Sequence, residues 1–300
     1  MIDTIMLTAT VVADDINIIK TLFRPIVDNN NLYYIYQQDN INYTYIDKFN
    51  LLKIVINPSK LLGKDIVTDA DYNAFVEIYK KHFYSIFNYT NYMEKLSRVD
   101  YKLDFVTEYK DLYLKLIKKS YSSYRHLKQN NVYETSLYYN SKSYILNIYD
   151  KEQEQEDKAD INIIIDDRYE NMLRFEAQLK RPRIYYNLKN WGLCDILPNY
   201  WSELDRDYYL NTVLRNIVFE GDYYNIYHSK KKLKEVYKDS TVKKLLELQK
   251  LISRYGITGA EQKYSYGKQT FKKHLNMLQD AGVNPVLGYG HDSCKKCNRE

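Results

Sequence analysis

The sequence predicts an α+β fold: a central antiparallel sheet with flanking helices, followed by a helical C-terminal region. Three observations predict it. The first half runs in short stretches rich in Ile, Val, Tyr and Thr, separated by Asn, Asp and Pro, which reads as strands joined in hairpins. Beyond Pro182 the apolar spacing turns helical. Strands with helices among them, then a run of helices, fit α+β better than a parallel α/β fold.

Taken in order, residues 1–10 form the opening strand, with Ile2, Ile5 and Leu7 apolar. Asp14 to Phe23 has apolar residues at 16, 19, 22 and 23, a short amphipathic helix. Strands follow at 32–38, 41–46 and 51–56. Thr68-Asp69-Ala70-Asp71 resembles a capping box before a helix with apolar residues at 75, 76, 79, 83 and 86. Arg98 to Phe105 is a strand, and about 107–128 a helix with Leu112, Leu116 and Ile117 facing in. A strand pair covers 132–139 and 143–149. The charged run 150–160 is an apolar-poor loop. Ile161 to Ile165 reads as a short strand and 172–180 as a longer one. Helices are expected at 204–219, at 222–237 starting at Asp222, at 241–255, and at 270–281 between Thr270 and Gly282. Gly256 to Gly259 is a turn.

Composition bounds the function. Hydrophobic content of 45% over 300 residues supports one large domain, or one and a half. The division expected is a main part over 1–238 and a helical part over 239–300 with a flexible tail. A net charge of +5 is mildly basic and compatible with nucleic acid. The 34 tyrosines, with abundant Asn, Ile and Lys, have AT-rich codons, so tyrosine pairs are partly compositional. Nine glycines and no P-loop or Gly-x-Gly-x-x-Gly argue against an ATPase or dinucleotide enzyme. No apolar run is long enough to span a membrane, and no signal peptide opens the chain. Cys194, Cys294 and Cys297 suggest a reducing cytoplasm.

The chemistry centres on two strands. In Leu173 to Lys180, alternation puts Arg174, Glu176 and Gln178 on one face and Phe175, Ala177 and Leu179 on the other. In Arg98 to Phe105, Asp100, Lys102 and Asp104 share a face. Side by side, these strands gather an all-oxygen cluster suited to Mg²⁺ or Mn²⁺. The alternative is a salt-bridged sheet surface, with Arg98, Lys102 and Arg174 neutralising the acids.

A second group lies after Gly221. On a helix from 222, Tyr223 and Tyr227 would share a face, and Tyr224 would pair with His228. Lys230, Lys231, Lys232 and Lys234 follow, placed to bind a phosphate backbone. Thr258 to Gly282 could close a helix-turn-helix or winged-helix unit, with Gln269, Lys272, Lys273 and Asn276 presented to DNA. A plain helical hairpin is the alternative. His291, Cys294 and Cys297 resemble half a zinc knuckle, and a solvated tail is the preferred reading. His82 and His274 read as surface or satisfied core residues.

Met1 to Ile5, Arg98 to Phe105, Ile148-Tyr149-Asp150-Lys151, Leu173 to Lys180 and Gly221-Asp222-Tyr223-Tyr224 occur in an order that resembles phage and plasmid replication initiators of the filamentous-phage gene II/X type. The resemblance runs over about 1–285. It implies the fold of the HUH endonucleases, and a divalent metal and a tyrosine that nick one strand at an origin. The enzyme would stay on the 5′ phosphate while the free 3′ hydroxyl primes synthesis. Carried over, Glu176 and Gln178 stand where many relatives have two histidines, with Asp100 and Asp104 as the facing acids. Tyr223 or Tyr224 comes first as nucleophile and Tyr227 next, with Tyr149 and Lys151 near the site. The expected partners are single-stranded or hairpin origin DNA, contacted by Arg174, Lys102, Lys230, Lys231, Lys234, Lys272 and Lys273, and a host helicase and polymerase, with no membrane. The rival expectations are a non-catalytic origin-binding initiator or repressor, and a structural module of a mobile element.

Overall fold

The computed structural model describes residues 2–29, 31–88, 93–119, 135–158, 167–215 and 218–288, and the backbone of 128–132. The strand expected at 161–165, the C-terminal end of the helix expected at 107–128, and the His291, Cys294 and Cys297 tail lie outside these residues.

Among the described residues the strands are β1 (Ile2–Thr10), β2 (Arg24–Asp28), β3 (Asn31–Gln38), β4 (Ile41–Ile46), β5 (Leu51–Ile56), β6 (Lys95–Val106), β7 (Lys128–Val132), β8 (Ser136–Asn140), β9 (Tyr144–Asp150) and β10 (Met172–Lys180). They form one sheet in the order β2-β3-β4-β5-β1-β6-β10-β9-β8-β7. The expected α+β class is the one observed. β2, which the sequence reading missed, carries Pro25 and lies at the sheet edge, where a missing N–H costs least. β1 pairs antiparallel with both β5 and β6, and its register with β6 shifts after Ile2 and after Met6.

The chain divides into two compact units. The first comprises Met1–Asp104, Asn140–Asn147 and Arg174–Asn211; the second comprises Phe105–Tyr139, Ile148–Leu173 and Thr212–Glu300. In the first unit, alternation along β1, β4 and β5 buries Ile5, Tyr43, Leu52 and Ile54. The helices α1 (Ala13–Leu22) and α3 (Tyr72–Phe87) pack together, with α2 (Pro58–Leu62) against α3. The Phe83 and Phe87 rings lie 4.7 Å apart, and Phe23 meets Phe87 edge-on at 6.5 Å. Each fully buried aromatic of this kind contributes about 1.5–3 kcal/mol. The expected capping box is formed: the Thr68 N–H donates to Asp71 Oδ2 at 2.9 Å just ahead of α3. The unit is completed by α6 (Arg181–Trp191) and most of α7 (Glu203–Leu214). The latter is shorter than the helix expected over 204–219.

In the second unit, α4 (Lys110–Lys119), α8 (Ile226–Val236), α9 (Asp239–Lys263) and α10 (Gly267–Asp280) surround a core of Leu116, Leu233, Leu245, Ile252, Phe271 and Leu278. Four local expectations are corrected. Residues 151–158 are helix α5 (Lys151–Lys158), not loop. Asp150 Oδ1 accepts the Gln153 N–H at 3.2 Å and caps it, and Glu, Gln and Lys favour helix without an apolar stripe. The helix after Gly221 begins only at Ile226, because Asn225 Oδ1 takes the His228 N–H at 2.9 Å. Gly256, at φ +67°, breaks α9 without a turn, and the helix resumes over 257–263. Finally, α10 starts at Gly267, so Thr270 lies inside it, although Gly282 follows it with φ +66° as expected.

Candidate active site

In the first unit, two cross-strand side-chain pairs set the facing of β6 and β10. Arg174 Nε and Nη2 donate to Asp104 Oδ1 and Oδ2 at 2.5 and 2.8 Å. Gln178 Nε2 donates to Asp100 Oδ2 at 3.2 Å. Four residues forward on β10 thus meet four residues back on β6, as antiparallel neighbours must. Alternation places Glu176 and Lys102 on the same face between them. Arg98, two residues before Asp100 and on the same face, donates from Nε to Asp100 Oδ1 and Oδ2 at 2.8 and 3.0 Å, and from Nη2 to Oδ2. Asp3 of β1 joins the group, 3.4 Å from Lys102 Nζ and 3.7 Å from Arg174 Nη1. Neither Asp3 nor Arg98 was singled out as a functional residue from the sequence.

Four carboxylates (Asp3, Asp100, Asp104, Glu176) therefore stand among three cations (Arg98, Lys102, Arg174), a net of −1. Burial pushes the Asp100 carboxyl above its ordinary value, against the pull of Arg98 and Gln178. For Arg98, burial opposes the charge, but bonding to Asp100 and the fields of Asp100, Glu176 and Asp3 outweigh it. The guanidinium is held charged inside a ring of acids.

The donors are hard oxygens, right in kind for Mg²⁺ or Mn²⁺. Their arrangement does not fit a divalent ion. The carboxylates of Asp100 and Asp104 are each gripped by an arginine fork. Among the described residues, no three His, Cys, Asp or Glu side chains gather closely enough to hold a metal. As placed, this is a salt-bridged sheet face.

The remaining candidates belong to the second unit. Lys151 is buried, bonds to Glu154, and lies over the rings of Tyr149 and Tyr169 at 5.8 and 5.5 Å. Beside it, Lys110, which the sequence reading passed over, bridges Asp150 at 2.8 Å and Glu152. Its bonds hold the Glu152 carboxyl below the ordinary range.

The tyrosines do not share a helix face. Tyr223 and Tyr224 precede α8, in a segment strapped to the end of the unit. The Asp222 N–H donates to the Gly282 carbonyl at 3.0 Å, the Asn284 N–H to the Asp222 carbonyl at 3.0 Å, and the Gly288 N–H to the Tyr224 carbonyl at 2.9 Å. Tyr223 packs against the helical core. The Tyr224 hydroxyl donates to Asp222 Oδ2 at 2.9 Å, and that bond raises its pKa, with burial adding and Lys232 opposing. Tyr227 is exposed in the first turn of α8 against the ring of His228. Lys230 and Lys231 are exposed, and Lys234 pairs with Asp239 at 3.0 Å. On α10, Gln269, Lys272, Lys273 and Asn276 are all exposed. His274 on the opposite face is buried and bonded to the Tyr264 hydroxyl at 2.6 Å, a satisfied core residue.

The family defined by the N-terminal part of the phage replication-associated gene II protein matches residues 33–189, more than half of the chain. The chain belongs to this family. It is a rolling-circle replication initiator of the phage gene II type. The matched span of this gene II-type initiator runs from β3 into α6 and contains Asp100, Asp104, Lys151, Arg174, Glu176 and Gln178. It ends before Tyr223. No curated protein matches the chain. Among the described residues, no helix is long and apolar enough to cross a membrane.

Proposed function

We propose that this initiator nicks and rejoins one strand of its origin DNA through a covalent tyrosine, with Tyr224 as first nucleophile. The observation that carries the assignment is the Tyr224–Asp222 bond. A phenol is a poor nucleophile until it loses its proton, and a carboxylate at 2.9 Å can take that proton as attack begins. The Tyr224 oxygen forms a bond to phosphorus, the phosphorus–O3′ bond breaks, and the departing 3′ oxygen takes up a proton. The phosphodiester energy is kept in a 5′-phosphotyrosine, and reversal rejoins the strand. Lys232, whose charge reaches Tyr224, favours the phenolate. Lys230, Lys231 and Lys234 would hold the DNA backbone, and Lys272 and Lys273 on α10 would hold flanking duplex. The exposed 3′ hydroxyl would be handed to a host polymerase and helicase.

Asp100, Glu176 and Gln178 would hold Mg²⁺ or Mn²⁺ only if Arg98 gave up Asp100, so this reading takes no step through a metal ion. The arginine forks favour a second reading, an initiator that binds the origin without cutting it, since a neutralised acid face needs no ion. Both are tested by incubating a labelled single-stranded origin oligonucleotide with Mn²⁺, Mg²⁺ or EDTA and mapping any peptide–DNA adduct by mass. An adduct on Tyr224 supports nicking. Salt-dependent origin binding with no adduct under any condition selects the binding-only reading.

A further inference from the structure

We propose that the outer face of α6 is a stacking platform for bases of single-stranded DNA, built from Arg183, Tyr186 and Trp191 with Tyr208 of α7 beside them. This subsite rests on the reading that the initiator handles a single strand. The guanidinium carbon of Arg183 lies 5.0 Å from the Tyr186 ring, 4.7 Å from the Trp191 ring and 5.4 Å from the Tyr144 ring. Trp191 meets Tyr186 edge-on at 5.8 Å and Tyr208 edge-on at 6.4 Å. Three rings and a cation thus form one continuous patch.

The patch is both anchored and open. On the inner side of α6, the fully buried Asn187 donates to the Tyr200 and Tyr209 hydroxyls at 3.1 and 2.7 Å, which ties the helix down. On the outer side, Tyr186, Trp191 and Tyr208 are each about half exposed. Tyrosine is common in this chain, so the argument leans on tryptophan. There are two tryptophans, and the other, Trp201, is buried at 3% exposure.

The charge selects the occupant. Helix α6 carries Arg181, Arg183 and Lys189 and no acidic residue. Arg181 is committed to Asp195 at 2.9 Å, whereas Arg183 is in no ion pair among the described residues. On α7, Asp207 is already paired with Arg206 at 2.7 Å. Aromatic faces beside unspent positive charge suit unstacked bases on a phosphate chain. A duplex hides its base faces from such a surface.

The platform carries its own probe, because Trp191 is the exposed tryptophan. Titration with a short oligothymidylate should quench tryptophan fluorescence, and Trp191→Phe should remove the quench while binding persists. The Tyr186→Ala/Trp191→Ala protein should lose roughly tenfold in oligothymidylate affinity for each ring removed. Its duplex affinity should be unchanged, and the Tyr186→Phe/Trp191→Phe protein should recover much of the loss. Unchanged melting temperature controls for folding. Adduct formation on the origin oligonucleotide is measured in parallel. Adduct with no quench and no loss of affinity overturns the platform and leaves the nicking reading intact. A sedimentation change on removing the rings, with no effect on DNA binding, also overturns it, in favour of self-association. No binding and no adduct with any oligonucleotide would overturn both readings together.

Discussion

Arg98 grips Asp100 from two residues away on the same strand, with Nε 2.8 and 3.0 Å from the two carboxylate oxygens. The guanidinium takes the place a divalent cation would need. Arg98→Ala should therefore raise Mn²⁺ affinity at least tenfold, read directly by Mn²⁺ electron paramagnetic resonance without DNA. The same change leaves Asp100, 5% exposed, without its main partner. Breaking a fully buried pair costs about 3–5 kcal/mol. With Arg98 one-third exposed, about 2 kcal/mol is expected in apo stability, recovered in part by Mn²⁺. A variant that is destabilised but gains no Mn²⁺ affinity would leave the salt-bridged face as structure alone.

Tyr224 and Asp222 make a separable prediction. Tyr224→Phe should abolish the covalent adduct, and Tyr227→Phe and Tyr223→Phe should leave it. Asp222→Asn keeps a hydrogen-bond acceptor but removes the base, so adduct formation should slow by about 10²-fold. Mass mapping of the adduct in each variant checks the order.

The acid strands were legible in the sequence because alternation is a period-two signal that one-sided burial leaves intact. Asp100, Asp104, Glu176 and Gln178 do share one face. What alternation cannot carry is which cation each acid chooses, so the Arg98–Asp100 pairing stayed open. Helix α5 was misread because a charged helix has no apolar period. Tyr223 and Tyr224 were misread for a different reason. Their non-helical segment is held by residues 282–288, a contact sixty residues distant that no local window contains. The α6 aromatics were hidden by the abundance of tyrosine, and only the rarity of tryptophan separates signal from composition.

Gly221 ties that strap to the proposed chemistry. Its φ is +119°, and a Cβ there would lie 2.8 Å from both the Asn284 nitrogen and the Val283 carbonyl carbon. Both are backbone atoms, which cannot swing aside. Gly221→Ala should cost about 2–3 kcal/mol and lower the melting temperature. Adduct yield should fall more steeply than stability explains, because the segment carrying Asp222 and Tyr224 shifts. A loss of stability with adduct yield per folded molecule unchanged would uncouple the strap from the chemistry.

Asp71 gives a pH-dependent prediction. Lys64 and the Thr68 N–H hold its carboxyl down to about 2 from an ordinary 3.8. The unfolded chain therefore binds a proton first as pH falls, and protonation favours unfolding. The contribution is full above the ordinary value and is lost as pH drops towards about 2. Melting temperatures of wild type and Asp71→Asn should differ at neutral pH and converge in strong acid. A difference that stays constant across that window would assign the effect to packing instead.

The α10 lysines test the proposed duplex contact. Lys272 and Lys273 are exposed beside Gln269 and Asn276, after a helix that breaks at Gly256 and resumes over 257–263. Each lysine that neutralises a phosphate releases counterion, and log affinity falls with log salt by about 0.9 per contact. Lys272→Ala/Lys273→Ala should weaken origin duplex binding and flatten that slope by about 2. The loss should be similar on unrelated duplex, because phosphate contacts carry no sequence. Oligothymidylate binding at α6 should be unaffected. An unchanged slope with lost origin preference would instead mean that these side chains read base edges, and α10 would then act as a recognition helix rather than a clamp.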